Sequence, residues 1–263
     1  MITDLIVKRI LEWSVIDELV IRDLCISYPY TYAIVEGGHK SIGVALTPLI
    51  ELSDIEVWRP PRIDFNSTVR EAVEKLTSTH MFERALALAV VNAVSQYVIE
   101  EEIDKLVCSS SVCDVVGIVE RSKAKTVAVV GNMSPLVRKL REKGYRVIVF
   151  ERDRESRVGG VYSDCLEQRL LPEADAVVIT GATILNDTLD NIIAYARPSS
   201  IKVMVGATAQ THPSLLEGVG LDYISSCHSR NPDLTAKLLR LSCWRKALFD
   251  ESIVRYTVRV GRG

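Results

Sequence analysis

From Thr126 onward the chain alternates short apolar segments with segments of helical periodicity, and this alternation restricts the fold more than any other feature. The predicted strands are TVAVVG (126–131), RVIVF (146–150), DAVVIT (175–180), IKVMVG (201–206) and LDYIS (221–225). Strands that are apolar on both faces and separated by helices are typical of a parallel sheet covered on both sides. The sequence therefore predicts a Rossmann-like α/β domain with five parallel strands.

The N-terminal half shows a different pattern. Apolar residues recur at helical spacing over residues 2–20, which predicts an amphipathic first helix. Residues 23–48 are β-like and contain a turn at Gly37 and Gly38, so we expect a small antiparallel sheet. A helix from about His80 to Tyr97 contains ALALAVVNAV, which is apolar nearly all round and indicates a buried helix.

A polar, serine-rich passage after Glu100 separates these two patterns. It predicts two domains, a small α+β domain over residues 1–110 and a Rossmann-like α/β domain over residues 111–263. The second domain ends with a helix over 232–249 and the tail IVRYTVRV. The strict period of two in this tail predicts a half-buried strand at an edge or interface.

Charge and composition restrict the class of partner and the location. The 263 residues carry 32 basic and 34 acidic side chains, a net charge of -2, so we expect no nucleic-acid partner. Charged residues interrupt the first 20 positions, which argues against a signal peptide or a membrane span and favours the cytoplasm. The six cysteines form no CxxC pair and are interpreted as mostly reduced; Cys108 and Cys113 are spaced too widely for a zinc knuckle.

Standard nucleotide motifs are absent from the sequence. The segment GNMSPL, which follows the first predicted parallel strand, supplies only one glycine of a GxGxxG motif, and no GxxxxGK[ST] motif occurs. We therefore expect no NAD, FAD or ATP bound in the usual way.

Open parallel sheets bind ligands outside the carboxyl ends of their strands, which directs attention to the residues that follow each predicted strand. Glycine there lets the backbone approach a ligand closely, although it also serves simply to turn the chain. Asn186 and Thr188 equally suit a helix cap. The predicted ligand-binding residues at these strand ends are Gly131, Asn132, Met133, Glu151, Thr180, Gly181, Thr183, Asn186, Thr188, Gly206 and Thr208.

The sequence has only four histidines that could act as metal ligands. His212 follows the fourth predicted parallel strand, and Cys227 and His228 follow the fifth, so His212 and His228 are the candidate metal ligands. Adjacent residues of an extended segment point to opposite sides, which argues against Cys227 and His228 binding one ion.

Five segments resemble the putative heavy-metal-chelation proteins, a prokaryotic family. They are FERALALAVVNAVS, VAVVGNMSPLVRKLREKG, VIVFER, LLPEADAVVITGATILNDTLDNII and VMVGATAQTHPSLLEGVGLDYIS. The resemblance implies an N-terminal domain like that of enolase, a Rossmann-like C-terminal domain and a pocket where they meet. Ala207-Thr208 departs from the Pro-Ser pair expected there. In that pocket Gly38, His39, Gly43, Glu83, Arg84 and Asn92 would face the strand-end loops.

Three hypotheses remain open at this point. The first is a protein that binds a small anionic molecule, a metal ion or a metal chelate between the domains, with Glu83, Glu151 or a histidine contacting the metal or protons. The second is a transferase or lyase acting on a nucleotide-like or phosphorylated small molecule, with Glu83 and Arg84 as catalytic candidates. The third is a structural or assembly subunit, a homo-oligomer included, joined through the strand at Val254–Val260.

Overall fold

The structure, a computed structural model, describes residues 1–49, 59–106, 114–154, 157, 159–248 and 250–261. The helices are α1 Ile2–Leu11, α2 Val69–Glu74, α3 Met81–Ile99, α4 Ile103–Leu106, α5 Val115–Arg121, α6 Ser134–Glu142, α7 Glu167–Leu170, α8 Ala182–Leu185, α9 Leu189–Tyr195, α10 Pro232–Arg240 and α11 Trp244–Leu248. The strands are β1 Val20–Cys25, β2 Tyr30–Glu36, β3 Lys40–Leu46, β4 Thr126–Val130, β5 Arg146–Glu151, β6 Val161–Ser163, β7 Ala176–Thr180, β8 Ile201–Val205, β9 Tyr223–Ser229 and β10 Ile253–Arg259.

The strands form two sheets, and their arrangement confirms the predicted mixed α/β class. The small sheet has the order β1-β2-β3 and is antiparallel. The large sheet has the order β10-β9-β8-β7-β4-β5-β6, in which every neighbouring pair is parallel except β9 and β10. The likeness of the small domain to the N-terminal domain of enolase stays a prediction.

Side chains alternate between the two faces of the large sheet, and each face has its own cover. Val127 and Val129 pack with apolar residues of α5 and α6. Ala128 and Val130 belong to a second cluster, which also contains α1 and most of α3. Because both faces are covered, the parallel strands are apolar on both sides, as the sequence indicated.

Helix α3 lies between the small sheet and the C-terminal half. It is long and apolar enough to cross a membrane by length and composition alone, but 89% of its most apolar window is buried inside the protein. Gly43 allows the close contact with β3, since a Cβ added there would lie 2.1 Å from the Ala93 nitrogen. The helix is therefore the core element that joins both halves, and the cytoplasmic location stays a prediction.

Three sequence predictions need correction. The first helix ends at Leu11 rather than Val20, because a 3-10 turn at Ser14–Asp17 leads directly into β1. The described part of the large sheet has a sixth parallel strand, β6, whose three residues are too few to give a periodic pattern. The predicted helix 232–249 is divided into α10 and α11, with Ser242 between them at φ 55°; Phe249 lies outside the described residues.

The predicted domain boundary at 110/111 lies outside the described residues, as do Cys108 and Cys113. The four described cysteines, Cys25, Cys165, Cys227 and Cys243, are free. The strand predicted from the tail is confirmed, since β10 forms one edge of the large sheet and pairs with β9 alone.

Candidate functional site

A cavity of about 250 Å³ lies at the carboxyl ends of β4, β5 and β7, and is called the strand-end cavity below. From β4 the chain continues through β5 to one edge of the sheet and then returns to β7 on the other side of β4. The strand order therefore reverses between β4 and β7, and such reversal points are where open α/β sheets bind ligands. The lining residues are Leu46, Val130, Gly131, Asn132, Met133, Phe150, Glu151, Arg152, Asp164, Glu167, Thr180, Ala182, Thr183, Asn186 and Thr188.

The loop after β4 forms the middle of the cavity wall. Gly131 has φ +91°, and a Cβ added to it would lie 2.9 Å from Cγ2 of Thr180, so only glycine fits between these two strand ends. The Asn132 amide donates to the Glu151 carboxylate at 2.8 Å, and the Met133 amide donates to the Gly131 carbonyl at 2.8 Å. Pro135 has no N–H group. The loop thus uses these amides internally and does not offer them as a phosphate cradle.

Two carboxylates on the β5 side have partners. One oxygen of Glu151 accepts from the Asn132 amide, and the other accepts from the Asp153 amide at 3.0 Å. Asp164 forms an ion pair with Arg152 at 3.1 Å. These bonds fix both carboxylates at the cavity wall and leave their remaining lone pairs as acceptors.

Glu167, the first residue of α7, is the carboxyl group with the most altered acidity in this cavity. Its side chain is buried, and burial raises the pKa to about 7, with the negative charge of Asp164 adding to the effect and Arg152 opposing it. Desolvation disfavours the charged form of an acid. Near neutral pH the cavity therefore contains a carboxyl group that both donates and accepts hydrogen bonds.

The wall formed by α8 and the following turn is held by the N-terminal half. Arg84 of α3 donates to the carbonyl oxygens of Leu185 at 2.8 Å and Ile184 at 3.2 Å. The same guanidinium pairs with Asp187 at 2.8 Å, and Thr3 of α1 donates to Asp187 at 2.8 Å. Asn186 and Thr188, which line the cavity, flank Asp187. The bonds from α1 and α3 to Asp187 therefore position this wall of the cavity.

Eight of the predicted ligand-binding residues line the cavity together, and the other predicted residues lie elsewhere. Those in the cavity are Gly131, Asn132, Met133, Glu151, Thr180, Thr183, Asn186 and Thr188. Among the others, Gly206 lines a separate cavity that shares Met133 with this one.

Four of the remaining residues serve packing: Asn92 and Thr208 join the two halves, whereas Gly43 and Gly181 each permit a close backbone contact within one half. Asn92 is fully buried and donates to the carbonyl oxygens of Val44 and Thr208 at 2.8 and 3.0 Å. The Thr208 hydroxyl accepts from the Leu46 amide at 3.1 Å. A Cβ on Gly181 would lie 2.4 Å from the Ala209 nitrogen, so Gly181 permits a close backbone contact, as Gly43 does.

Glu83 and Arg84, the predicted catalytic candidates, are both buried near the start of α3 and do not line the cavity. Burial alone would raise the pKa of Glu83, but hydrogen bonds from the Ser78 hydroxyl and the Arg62 amide, together with the Arg62 charge, hold it below its usual value. All of these contacts lie within the N-terminal half, whereas Arg84 reaches α8. In the structure Glu83 therefore anchors the segments at Arg62 and Ser78 to the start of α3.

The histidines are dispersed. His39 stacks on Tyr97 with ring centroids 3.9 Å apart, and the Tyr97 hydroxyl accepts from the Gly38 amide at 2.9 Å. His212 caps a 3-10 turn and packs edge-on against Trp13. His228 is buried in β9 between Gln96 and the Glu100 carboxylate, and burial lowers its pKa against the opposing effect of Glu100.

These positions give no shared metal centre for His212 and His228. Over the ranges that the structure describes, no three or more His, Cys, Asp or Glu side chains are grouped so as to hold a metal ion.

Comparison of the sequence with known proteins identifies the family of this chain. Two family models, both described as "Putative heavy-metal chelation", match residues 9–95 and 114–258. The chain belongs to the putative heavy-metal-chelation family. The family resemblance inferred from the sequence is thus confirmed, and the second match contains every lining residue of the strand-end cavity except Leu46.

Relatives extend over nearly the whole chain. An uncharacterized protein of Methanocaldococcus jannaschii is 34% identical over 246 residues, covering 93% of this chain and 92% of its own length. A crystal structure of a protein with unknown function from Pyrococcus horikoshii is 31% identical and covers 99% of this chain and 100% of its own, with a TM-score of 0.86. A member from Desulfitobacterium hafniense is 18% identical and has the same fold, with a TM-score of 0.74 and coverage of 98% and 96%.

Seven lining residues were not among the predicted ligand-binding residues: Leu46, Val130, Phe150, Arg152, Asp164, Glu167 and Ala182. Leu46 comes from the small sheet, so its position depends on how the halves pack. Arg152, Asp164 and Glu167 belong to the segment between β5 and β7, where β6 and α7 are only three and four residues long. A usable signal was the concentration of charge directly after a strand end, in ERDRES and then SDCLE.

Proposed function

We propose that the chain binds a small polar ligand in the strand-end cavity, and that a metal it handles is carried as part of that ligand, in a metal chelate. The observation that carries this proposal is the convergence of Gly131, Glu151 and Thr180, from three different strand ends, on one cavity at the reversal point of the sheet. Ligand sites of open α/β sheets are expected there, and a concave site with a few converging polar groups is the usual form.

The donor atoms support a chelate better than a bare ion. The described residues contain no cluster of three or more metal-ligating side chains, and both Glu151 and Asp164 already accept hydrogen bonds or ion pairs from the protein. A chelate brings its own donor atoms, so the protein needs only to supply hydrogen bonds, charge and shape. The metal is then cargo rather than a resident cofactor.

The lining also favours ligands that carry hydrogen-bond donors. Glu151, Asp164 and Glu167 outnumber the one basic lining residue, Arg152, and the loop amides at Asn132 and Met133 have internal partners. Hydroxyl and amino groups suit such a wall because carboxylates accept hydrogen bonds from them. A free phosphate meets more negative than positive charge there.

A catalytic role in the same cavity is the second candidate, and Glu167 is the observation that favours it. A carboxyl group with a pKa of about 7 exists in both protonation states at neutral pH, which is the requirement for a general acid or base. A lyase or transferase acting on the bound ligand would use Glu167 to move a proton. The assembly role of the strand at Val254–Val260 stays a prediction.

Thermal shift with defined probes tests the binding proposal. The purified full chain is first analysed for metal content and is then melted with Ni²⁺, Zn²⁺ or Fe³⁺ alone and with their citrate and histidine chelates. A chelate present at 100 times its Kd adds about 2.7 kcal/mol, which raises Tm by roughly 5 to 10 °C in a chain of this size. We expect that shift with at least one chelate and no comparable shift with the same metal alone.

Variants locate the site. Glu167→Gln and Glu151→Gln change the cavity wall with little change in volume and are expected to weaken the chelate-dependent shift. Glu142→Gln, on the exposed face of α6, is the matched control and should retain it. The proposal is wrong if no chelate shifts Tm, or if all three variants respond as the wild type does.

A further inference from the structure

A second cavity, of about 530 Å³, adjoins the strand-end cavity at the same edge of the large sheet and is called the aromatic cavity below. Met133 lines both cavities, so the two are separated by the width of one side chain. The aromatic cavity lies beyond the end of β8, where Gly206 and Ala207 form the loop, and extends over the middle of β9 at Ser225–Cys227.

The floor of the aromatic cavity is the paired segment of β9 and β10. In the register of these strands Ser225 lies opposite Thr257 and Cys227 lies opposite Arg255. The Ser225 and Thr257 hydroxyl groups are 3.0 Å apart and bond to each other. Burial raises the pKa of the Cys227 thiol to about 11, so the thiol is neutral at pH 7.

The walls are aromatic and apolar. Tyr30 of β2 and Trp244 of α11 meet edge to face, with ring centroids 6.5 Å apart and planes at 70°. Burial raises the pKa of Tyr30 to about 12, so its ring carries no charge at neutral pH. Met133 and Leu136 complete the apolar surface, and thioethers such as that of Met133 make favourable contacts with aromatic rings.

The mouth of the cavity is open at Gly206. This residue has φ +110°, and apart from Gly206 itself and its two chain neighbours no heavy atom of the described residues lies within 4 Å of the place where a Cβ would stand. At the rim, Asp114 and Lys139 form an ion pair at 2.5 Å and so offset each other's charge. The space therefore presents rings, sulfur and hydroxyl groups to a ligand, and the charged side chain of Arg255 also lines it.

We infer that the aromatic cavity binds a planar aromatic ring, and that this ring is attached to the polar group held in the strand-end cavity. Aromatic rings prefer the edge-to-face and offset contacts that a Tyr–Trp wall offers, and a volume of several hundred Å³ accommodates a bicyclic ring. The physiological ligand is then bipartite, with its two parts on either side of Met133. This inference rests on the proposed function for its polar half only.

Ligand-observed NMR on the full chain tests the inference with two separate probes, quinoline for the ring and D-ribose for the polar group. Saturation transfer from the protein to quinoline is expected for the wild type. It should fall at least fivefold in Leu136→Trp, where a larger side chain fills the cavity, and in Trp244→Ala, where one wall is removed. Glu167→Gln should weaken ribose binding and leave quinoline binding unchanged.

Adjacency is tested with both probes present. An interligand nuclear Overhauser effect between quinoline and ribose is expected, because the two cavities share Met133. Failure of quinoline to bind, or binding unaffected by both Leu136→Trp and Trp244→Ala, overturns the inference while leaving the proposed function intact. If quinoline binds but neither ribose nor any chelate does, the proposed function fails while the aromatic site stands. If both probes bind but show no interligand effect, the bipartite ligand is refuted.

Discussion

At the scale of single residues, the chemistry of the strand-end cavity depends on one acid whose surroundings differ from those of its neighbours. Glu151 and Asp164 have hydrogen-bond or ion-pair partners, whereas Glu167 is buried beside the charge of Asp164 and titrates near pH 7. An acid whose pKa is raised in the folded state binds more protons there than in the unfolded chain. Its contribution therefore lowers the free energy of unfolding as pH rises from about 4.5 to 7.

Glu167→Gln removes this titration. We expect the free energy of unfolding of the variant, relative to the wild type, to increase by about 3 kcal/mol between pH 4.5 and pH 7.5, with most of the change below pH 7. Urea unfolding of both proteins across this range measures the difference. The exposed substitution Glu142→Gln should give a curve parallel to that of the wild type. Parallel curves for Glu167→Gln as well would show that Glu167 ionises normally.

Residue types alone predicted part of the cavity. Gly131 and Thr180 were predicted because residues at the ends of parallel strands must meet at one edge of a sheet. Glycine has two uses, however, and Gly43 and Gly181 serve packing against Ala93 and Ala209 rather than ligand approach. Nothing local distinguishes these uses, because the difference lies in which backbone comes near after folding.

At the scale of elements, helix α3 connects the N-terminal half to the wall of the cavity. Its Arg84 side chain, only 5% exposed, bonds to two carbonyl oxygens at the end of α8 and pairs with Asp187. The end of a helix leaves carbonyl groups without intrahelical partners; Arg84 donates to that of Leu185 and adds a second donor to that of Ile184, which also accepts from the Asp187 backbone amide. A four-residue helix has little stability of its own, so its position depends on this bond set.

Arg84→Met should loosen this wall. The loss of a buried charged donor, which leaves Asp187 with the Thr3 hydroxyl but without its ion-pair partner, is expected to lower the free energy of unfolding by about 3 kcal/mol. Amide hydrogen exchange over residues 182–188 should become faster than in the wild type. Arg138→Met, at an exposed position of α6, should change stability by no more than about 0.5 kcal/mol. Unchanged exchange at 182–188 would mean that Arg84 does not position the wall.

The elements with a clear apolar pattern in the sequence were predicted best. The strands β4, β5, β7 and β8 were found within one residue of their ends because each is apolar on both faces. Strand β6 and helix α7, in contrast, are set by contacts with β5 and the cavity rather than by their own pattern.

At the scale of the whole molecule, the two halves share one core. A single apolar cluster contains Ile6 of α1, Leu88 of α3 and Ile179 of β7. Asn92 and Gln96 add buried hydrogen bonds from α3 to the loop at Thr208 and Gln210. The sequence indicated two domains from a change of pattern, but a change of pattern does not report how much surface the two parts bury against each other.

Unfolding should therefore occur in one transition. Far-ultraviolet circular dichroism and tryptophan fluorescence, with Trp13 and Trp244 in different halves, are expected to give the same Tm, and the calorimetric and van't Hoff enthalpies should agree. For Asn92→Ala both probes are expected to agree on a single Tm that is lower than that of the wild type. Two separated transitions would show that the halves fold independently.

The contact at Gly43 also has an evolutionary consequence. Strand β3 and helix α3 are so close at Ala93 that no methyl group fits between them. Any side chain gained at position 43 therefore requires the helix to shift. Such a shift would move Arg84, and with it the α8 wall. A mutation at position 43, which does not line the strand-end cavity, would thus alter the affinity for the ligand through a backbone shift. Homologues of this chain should accordingly accept few substitutions at Gly43, although it lines neither cavity.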